Sequence, residues 1–248
     1  MSGPRQSDIA AEILSAGITL ARDLDALTFS VPYVYNSFDY AWDGWKQYVE
    51  TWLSGRKEVI LLGINPGPWG MAQTGVPFGE VEAVTEWLGL HPRIGKPSNE
   101  HPKRPILGVE CPRSEVSGRR LWAYFRERYK TPDAFFARFG VLNYCPLAFM
   151  GETGRNITPD KLTKEERQPL FDLCDHHLIE LLSLLSPETA VGVGRFAESV
   201  LKRLLTSTGG SKNVGVGSIL HPSPASPAAN LNWAERADLS LKNLLDRP

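Results

Sequence analysis

Cysteine is scarce in this chain. Cys111, Cys145 and Cys174 are the only three in 248 residues, odd in number, far apart and without a C-x-x-C pair. That pattern excludes a disulfide framework and gives no zinc or iron-sulfur ligand set, and it points to a reducing compartment. No run of about 18 apolar residues occurs, and the N-terminal stretch with Arg5, Asp8 and Glu12 has no apolar segment of signal-peptide length. The expectation is a soluble intracellular protein off the membrane, in the cytoplasm or nucleoid of a bacterium or the nucleus of a eukaryote. Charge of one sign is also missing, because 27 Lys and Arg balance 28 Asp and Glu to a net −1. The chain is therefore no blanket polycation, and its length with 42% hydrophobic residues fits one domain over residues 1–248, with 1–27 as a helical extension.

Several signatures of common enzyme classes are absent too. Neither G-K-[ST] nor G-x-G-x-x-G is found, which disfavours a nucleoside triphosphate or NAD, and no G-x-S-x-G elbow supports acyl transfer by Ser223 between its two prolines.

What is present is an alternation. Apolar runs at 57–62, 139–143, 189–193 and 214–220 read as strands, and segments 80–88, 170–185 and 195–205 read as helices between them. Ser114 is the expected N-cap of a further helix that turns Leu121, Trp122 and Phe125 inward and leaves Arg119, Arg120 and Arg126 partly outward. This order implies a four-stranded parallel sheet with helices on both faces. The aromatic stretch from Tyr33 to Trp52 reads as packing, and His91, His101, His176 and His177 read as solvated. A Pro-rich connection from His91 to Pro112 is too long for a simple turn. From His91 to Lys130, ten Lys and Arg stand against four Glu. This local excess can face phosphates, or it is a solvated helix surface with its own ion pairs.

Two segments carry the functional signal: Gly63-Ile64-Asn65-Pro66-Gly67-Pro68 and His221-Pro222-Ser223-Pro224. Each follows a strand, so Asn65 and His221, with Asn143 at the end of a third strand, come to the carboxyl edge of the sheet where α/β folds bind ligands. A lone histidine there is more often structural than catalytic, but three polar residues converging on one cleft argue for a site. The first loop offers an amide, a large ring and backbone donors, an inventory suited to a flat polar ring such as a nucleobase.

The run from Gly63 to Glu80, His101-Pro102-Lys103-Arg104-Pro105, Ser114 to Gly118, Asn143 to Leu147, Gly154 to Pro159 and His221 to Pro224 closely resemble the single-strand-selective monofunctional uracil-DNA glycosylases. The resemblance implies a three-layer α/β/α sandwich with a short four-stranded parallel sheet. It also implies hydrolysis, without metal or cofactor, of the bond joining uracil or 5-hydroxymethyluracil to deoxyribose in DNA, with the nucleotide flipped into a pocket. The expected partner is DNA, bound by a monomer. In this reading Asn143 recognises the Watson-Crick edge and Phe78 stacks on the base. Gly67 stands where strict uracil enzymes carry a tyrosine and, with Met71, leaves room at C5; Ile64 completes the base contacts. Asn65 stands where those enzymes carry an aspartate and positions the attacking water, and His221 stabilises charge on the departing O2 as a neutral donor. No lysine nucleophile is placed in the cleft, which fits an enzyme without lyase chemistry. Ser223, Pro224, Ala225, Ser226 and Pro227, with Arg119 and Arg120, would meet the DNA. Where an arginine is expected in that segment stands Ala225, too small to fill the hole left by a flipped nucleotide, which predicts a high ratio of single-strand to duplex activity. Three rivals remain at this stage: a superfamily enzyme preferring xanthine or hypoxanthine, a non-catalytic damaged-DNA binder, and an α/β nucleotide-binding protein.

Overall fold

The computed structural model describes residues 6–207 and 214–246; Arg5 and the start of the N-terminal extension lie outside them. In chain order the elements are α1 (Gln6–Asp25), β1 (Tyr33–Asn36), α2 (Ser37–Tyr40), α3 (Trp42–Trp52), β2 (Val59–Gly63), α4 (Met71–Thr74), α5 (Val116–Tyr129), α6 (Pro132–Phe136), β3 (Phe139–Asn143), β4 (Leu147–Met150), β5 (Asn156–Ile157), α7 (Lys164–Leu185), β6 (Thr189–Val193), α8 (Arg195–Ser207), β7 (Gly215–Ile219) and α9 (Pro227–Leu245).

The main sheet is parallel throughout, in the order β3-β2-β6-β7, with helices on both sides. Its centre is β2, whose five residues are all buried; only a strand covered on both faces tolerates such a continuous apolar run. Val59 pairs with Phe139 on one side and Thr189 on the other, which aligns the carboxyl ends of β2 and β3 at Gly63 and Asn143. Helix α1 docks: Ile9, Ile13, Leu20 and Leu24 are buried in the main core. Tyr35, Trp45 and Tyr48 are fully or almost fully buried, so the aromatic stretch is packing, as its spacing suggests.

The structure adds a second sheet that the alternation did not reveal. β4 pairs antiparallel with β1 on one edge and with β5 on the other. It follows β3 after a turn at Pro146, whose carbonyl accepts hydrogen bonds from both the backbone N–H and the hydroxyl of Ser37. Two expected features are also corrected. Residues 83–87 form a π-helical turn where an ordinary helix was expected over 80–88. Glu115 rather than Ser114 caps α5, its carboxylate accepting from the N–H groups of Ser117 and Gly118, where two donors and the helix dipole favour a charged acceptor.

His101 and His177 are buried, contrary to the solvated reading, while His91 and His176 are exposed. His101 packs on Tyr33 at 4.4 Å between ring centroids, its Nδ1 accepts from the Lys103 N–H, and its backbone N–H donates to the Tyr35 hydroxyl. These contacts fasten the 91–112 connection to the second sheet. His177 lies edge-on to Phe38, with Nδ1 lacking a partner among the described residues. Burial, with a smaller contribution from His176, pushes its pKa down from 6.5 to about 4. The fold thus favours the neutral ring. Between pH 6.5 and 4 the unfolded chain binds more protons, and stability is lost as pH falls through that window, by roughly 3 kcal/mol for this one group. Thermal melts at pH 7 and pH 4 are expected to show a smaller acid drop in His177→Phe than in the parent; equal drops would exclude His177 as a source of acid sensitivity.

Candidate active site

The loops after β2, β3 and β7 meet at the carboxyl edge of the main sheet around a cleft of about 480 Å³. Asn65, Asn143, His221, Ile64, Gly67, Met71 and Phe78, named from the sequence, all line it, and so do Ser223 and Pro224. Ala225, Ser226 and Pro227 do not: Ala225 lies in the exposed 224–225 turn, Ser226 is the half-exposed N-cap residue of α9 and Pro227 is the helix's first residue. Arg119 and Arg120 do not line it either. Arg119 is exposed over a separate shallow hollow with Glu80, Glu82 and Arg126. Arg120 braces the loop after β7, donating to the Pro222 carbonyl and to Asn230, which in turn donates to the Pro224 carbonyl.

The Asn143 amide has a fixed orientation. Its Nδ2 donates to Met71 Sδ at 3.1 Å, so the NH2 group lies on the Met71 side and Oδ1 on the side of Gly63. Gly63 is required by this arrangement. A Cβ there would stand 2.6 and 2.8 Å from the Phe78 ring and closer still to Asn143 Oδ1. The absent side chain is the space in which the two groups sit together.

Phe78 has φ of +53°, a left-handed conformation that costs a non-glycine residue about 1 kcal/mol or more. Its carbonyl is held by the Trp122 indole N–H at 2.9 Å and the Glu80 N–H at 2.7 Å, which fix the strained backbone and aim the ring at the cleft. The ring stands 6.3 Å from His221, centroid to centroid, at 42°.

His221 is neutral at physiological pH, because burial pushes its pKa down to about 4. Its Nδ1 accepts the Ser223 N–H at 3.1 Å, so the neutral ring carries its proton on Nε2 and can donate there. Asn65 Nδ2 donates to the Leu147 carbonyl on β4 at 3.1 Å, which leaves Oδ1 as a free acceptor. An amide oxygen in that place can orient a water but cannot take its proton.

Sequence reasoning missed part of the wall. Pro68, Glu115, Ser117, Asn156 and Thr158 also line the cleft. Glu115 is the chemically distinctive one. Its carboxyl is held above the usual range by burial, against the opposing pull of the Gly118 and Ser117 N–H groups. A Cβ on Gly67 would meet nothing within 4 Å nearer than Glu115 Cγ, Cδ and Oε1 at 3.5 to 3.6 Å, so the carboxyl borders the open space at Gly67. The signal for its capping role was present, a glutamate two and three residues before small residues at a helix start. Its exposure to the cleft depends on where α5 packs. Among the described residues, no three His, Cys, Asp or Glu side chains come together as a metal site needs.

Residues 52–241 match the family described as the uracil DNA glycosylase superfamily. Over 243 residues the chain is 45% identical to the single-strand selective monofunctional uracil-DNA glycosylase of Rattus norvegicus, covering 97% of this chain and 87% of that protein. To the protein of that name from Bos taurus it is 46% identical over 97% of this chain and 89% of the other. The crystal structure of wild-type SMUG2 from Pedobacter heparinus shares the fold, with a TM-score of 0.65 at 18% identity over 95% of this chain and 99% of that one.

Proposed function

The chain belongs to the uracil DNA glycosylase superfamily, and from that membership we propose that it hydrolyses the N-glycosidic bond of uracil in single-stranded DNA, leaving an abasic site. The observation that carries the reading is the fixed Asn143 amide. With Oδ1 free to accept and the second N–H of the NH2 group, the one not given to Met71, left to donate, it matches the N3–H and O4 of uracil, whereas cytosine presents an acceptor at N3 and a donor at C4.

With the base stacked on Phe78, water attacks C1′ as the C1′–N1 bond breaks, and the bonding pair leaves with the base, its charge shared by O2. His221 Nε2–H donates to that oxygen. Asn65 Oδ1 accepts from the attacking water and sets its direction, and the water's surplus proton passes to solvent. Orientation supplies the gain on the water side, and a preorganised donor supplies it on the leaving-group side.

The same geometry supports 5-hydroxymethyluracil as a substrate. The Asn143 NH2 lies against Met71, so O4, and with it the adjoining C5, lies on the side of Met71 and Gly67. There the open space ends at Glu115 Oε1, an acceptor for a C5 hydroxyl. Preference for single strands follows from the exposed 224–225 turn, where the Ala225 methyl cannot occupy the gap left in a duplex.

The test is incubation with single-stranded and duplex oligonucleotides carrying one uracil or one 5-hydroxymethyluracil, followed by alkali. Strand breakage is expected only after alkali, faster on single strands, and strongly reduced in Asn143→Ala. Tight binding without abasic product would make the chain a damage-binding protein. Equal rates on both strand forms would remove the role given to Ala225.

A further inference from the structure

Beyond the residues that surround the base, the cleft's rim carries an aromatic and cationic cluster that the chemistry above does not use. Trp69 adjoins Pro68 of the cleft wall and is half-buried. Two guanidiniums stand over its indole, Arg113 at 4.9 Å and Arg104 at 5.1 Å from the ring centroid. They arrive from separate segments. Arg113 lies two residues before the cleft residue Glu115. Arg104 belongs to the 91–112 connection and donates to the Gly154 carbonyl at 2.8 Å, two residues before the cleft residue Asn156. The cluster therefore adjoins segments that supply lining residues from separate parts of the cleft wall, Pro68, Glu115 and Asn156.

Among the described residues no carboxylate pairs with Arg104 or Arg113, nor with their exposed neighbours Lys103 and Arg155. A basic patch that is merely a solvated surface commonly carries its own ion pairs, as Arg138 does with Glu58 and Arg203 with Asp175 elsewhere in this chain. Here the indole supplies the ordering that an acid would otherwise supply. A guanidinium lying over a ring is fixed in orientation: that of Arg113 has no side-chain hydrogen bond among the described residues and offers its N–H edge to a phosphate in two-pronged fashion, while Arg104, whose Nε and Nη1 donate to the Gly154 and Lys103 carbonyls, offers Nη2. Two guanidiniums on one ring, neither of them ion-paired among the described residues, favour an anionic ligand, and beside a cleft that takes one nucleotide the anions at hand are those of the same strand.

We propose that Trp69, Arg104 and Arg113 form a subsite for the backbone phosphates of single-stranded DNA next to the nucleotide held in the cleft. The proposal rests on the reading of the chain as a DNA glycosylase and adds the place where the strand is gripped. It also accounts for how a strand is retained by an enzyme whose 224–225 turn inserts nothing: the hold is on the backbone.

The experiment is fluorescence anisotropy with an unmodified oligothymidine strand from 50 to 200 mM salt, for the parent and for Arg113→Gln, Arg104→Gln and Trp69→Leu. The control is Arg56→Gln, exposed at the opposite, amino edge of the sheet. Each arginine variant is expected to flatten the log K against log salt slope by about 0.7, the value for one phosphate contact on a single strand. Trp69→Leu, which keeps both charges but removes their platform, is expected to weaken binding severalfold while Arg56→Gln leaves it unchanged. Parent slopes in both arginine variants, or an equal change in the control, would overturn the subsite. The strand holds no uracil, so this outcome is separate from excision: flattened slopes in a chain that fails to excise would fault the glycosylase reading and leave the subsite standing.

Discussion

Replacing His221 by leucine is expected to slow excision of uracil from a single-stranded oligonucleotide about 10² to 10³-fold in single turnover, with strand binding nearly unchanged. The asymmetry between rate and binding follows from when the charge appears. In the bound substrate O2 is a neutral carbonyl, and a hydrogen bond to it gains little over one to water. As the glycosidic bond breaks, O2 becomes an anion, and a donor already aimed there needs no reorganisation. The Ser223 N–H on Nδ1 keeps the ring in the form with the proton on Nε2. Burial holds the pKa near 4, so the imidazole is neutral from pH 5 upward. The rate of the parent enzyme is accordingly expected to be level from about pH 5 to 8. A limb centred near 6.5 would mean that His221 titrates as a free histidine does and acts in some other way.

The second large effect belongs to a residue with no side chain. Gly63→Ala is expected to reduce excision at least 100-fold, while the protein stays folded with a loss of about 1–3 kcal/mol, the usual range for overpacking. The new methyl overlaps Asn143 Oδ1 and lies 2.6 Å from the Phe78 ring. Asn143 can relieve the clash only by turning away from Met71, and Phe78 only by leaving its rotamer, since its backbone is held by Trp122 and Glu80. Either movement destroys the match to uracil. A double-mutant cycle checks the mechanism: because both changes act through the same contact, Gly63→Ala combined with Phe78→Ala is expected to lose less than the sum of the two single losses. Strict additivity, or near-normal activity of Gly63→Ala, would show that the tight approach has slack.

β2, β3 and β6 were legible because each is a short, nearly continuous apolar run ending at or just before a glycine or asparagine, and a strand buried on both faces needs no alternation to be recognised; β7, only half-buried, was legible from Val214, Val216, Ile219 and Leu220 ahead of His221. The three polar side chains of the cleft were legible for the same reason: each ends a strand of a parallel sheet. The second sheet was hidden. Its strands are four, four and two residues long, Tyr33–Asn36 merges with an aromatic run that continues into a helix, and Leu147–Met150 follows a proline that reads as the end of an element. His101 and Glu115 were hidden differently. A histidine in a Pro-rich loop and a glutamate at a helix start are ordinarily solvated, and what buries them are Tyr33 and the loop of Gly67 and Gly70, supplied from more than 40 residues away. Arg119 and Arg120 show the converse. The sequence gives their charge but not that one faces another hollow and the other is engaged by the loop after β7.

The strand order β3-β2-β6-β7 also bears on how the protein comes to be active. β2 finds its partners about 80 and 130 residues further along, and pairings at such separation make folding slow. Asn65, Asn143 and His221 stand at the ends of β2, β3 and β7, so they become neighbours only when β7 adds to the sheet through β6. A chain still emerging from the ribosome has no complete cleft until residues past 221 are free. In refolding, recovery of excision requires β7 in place beside β6, and it is expected to lag behind the return of helical signal.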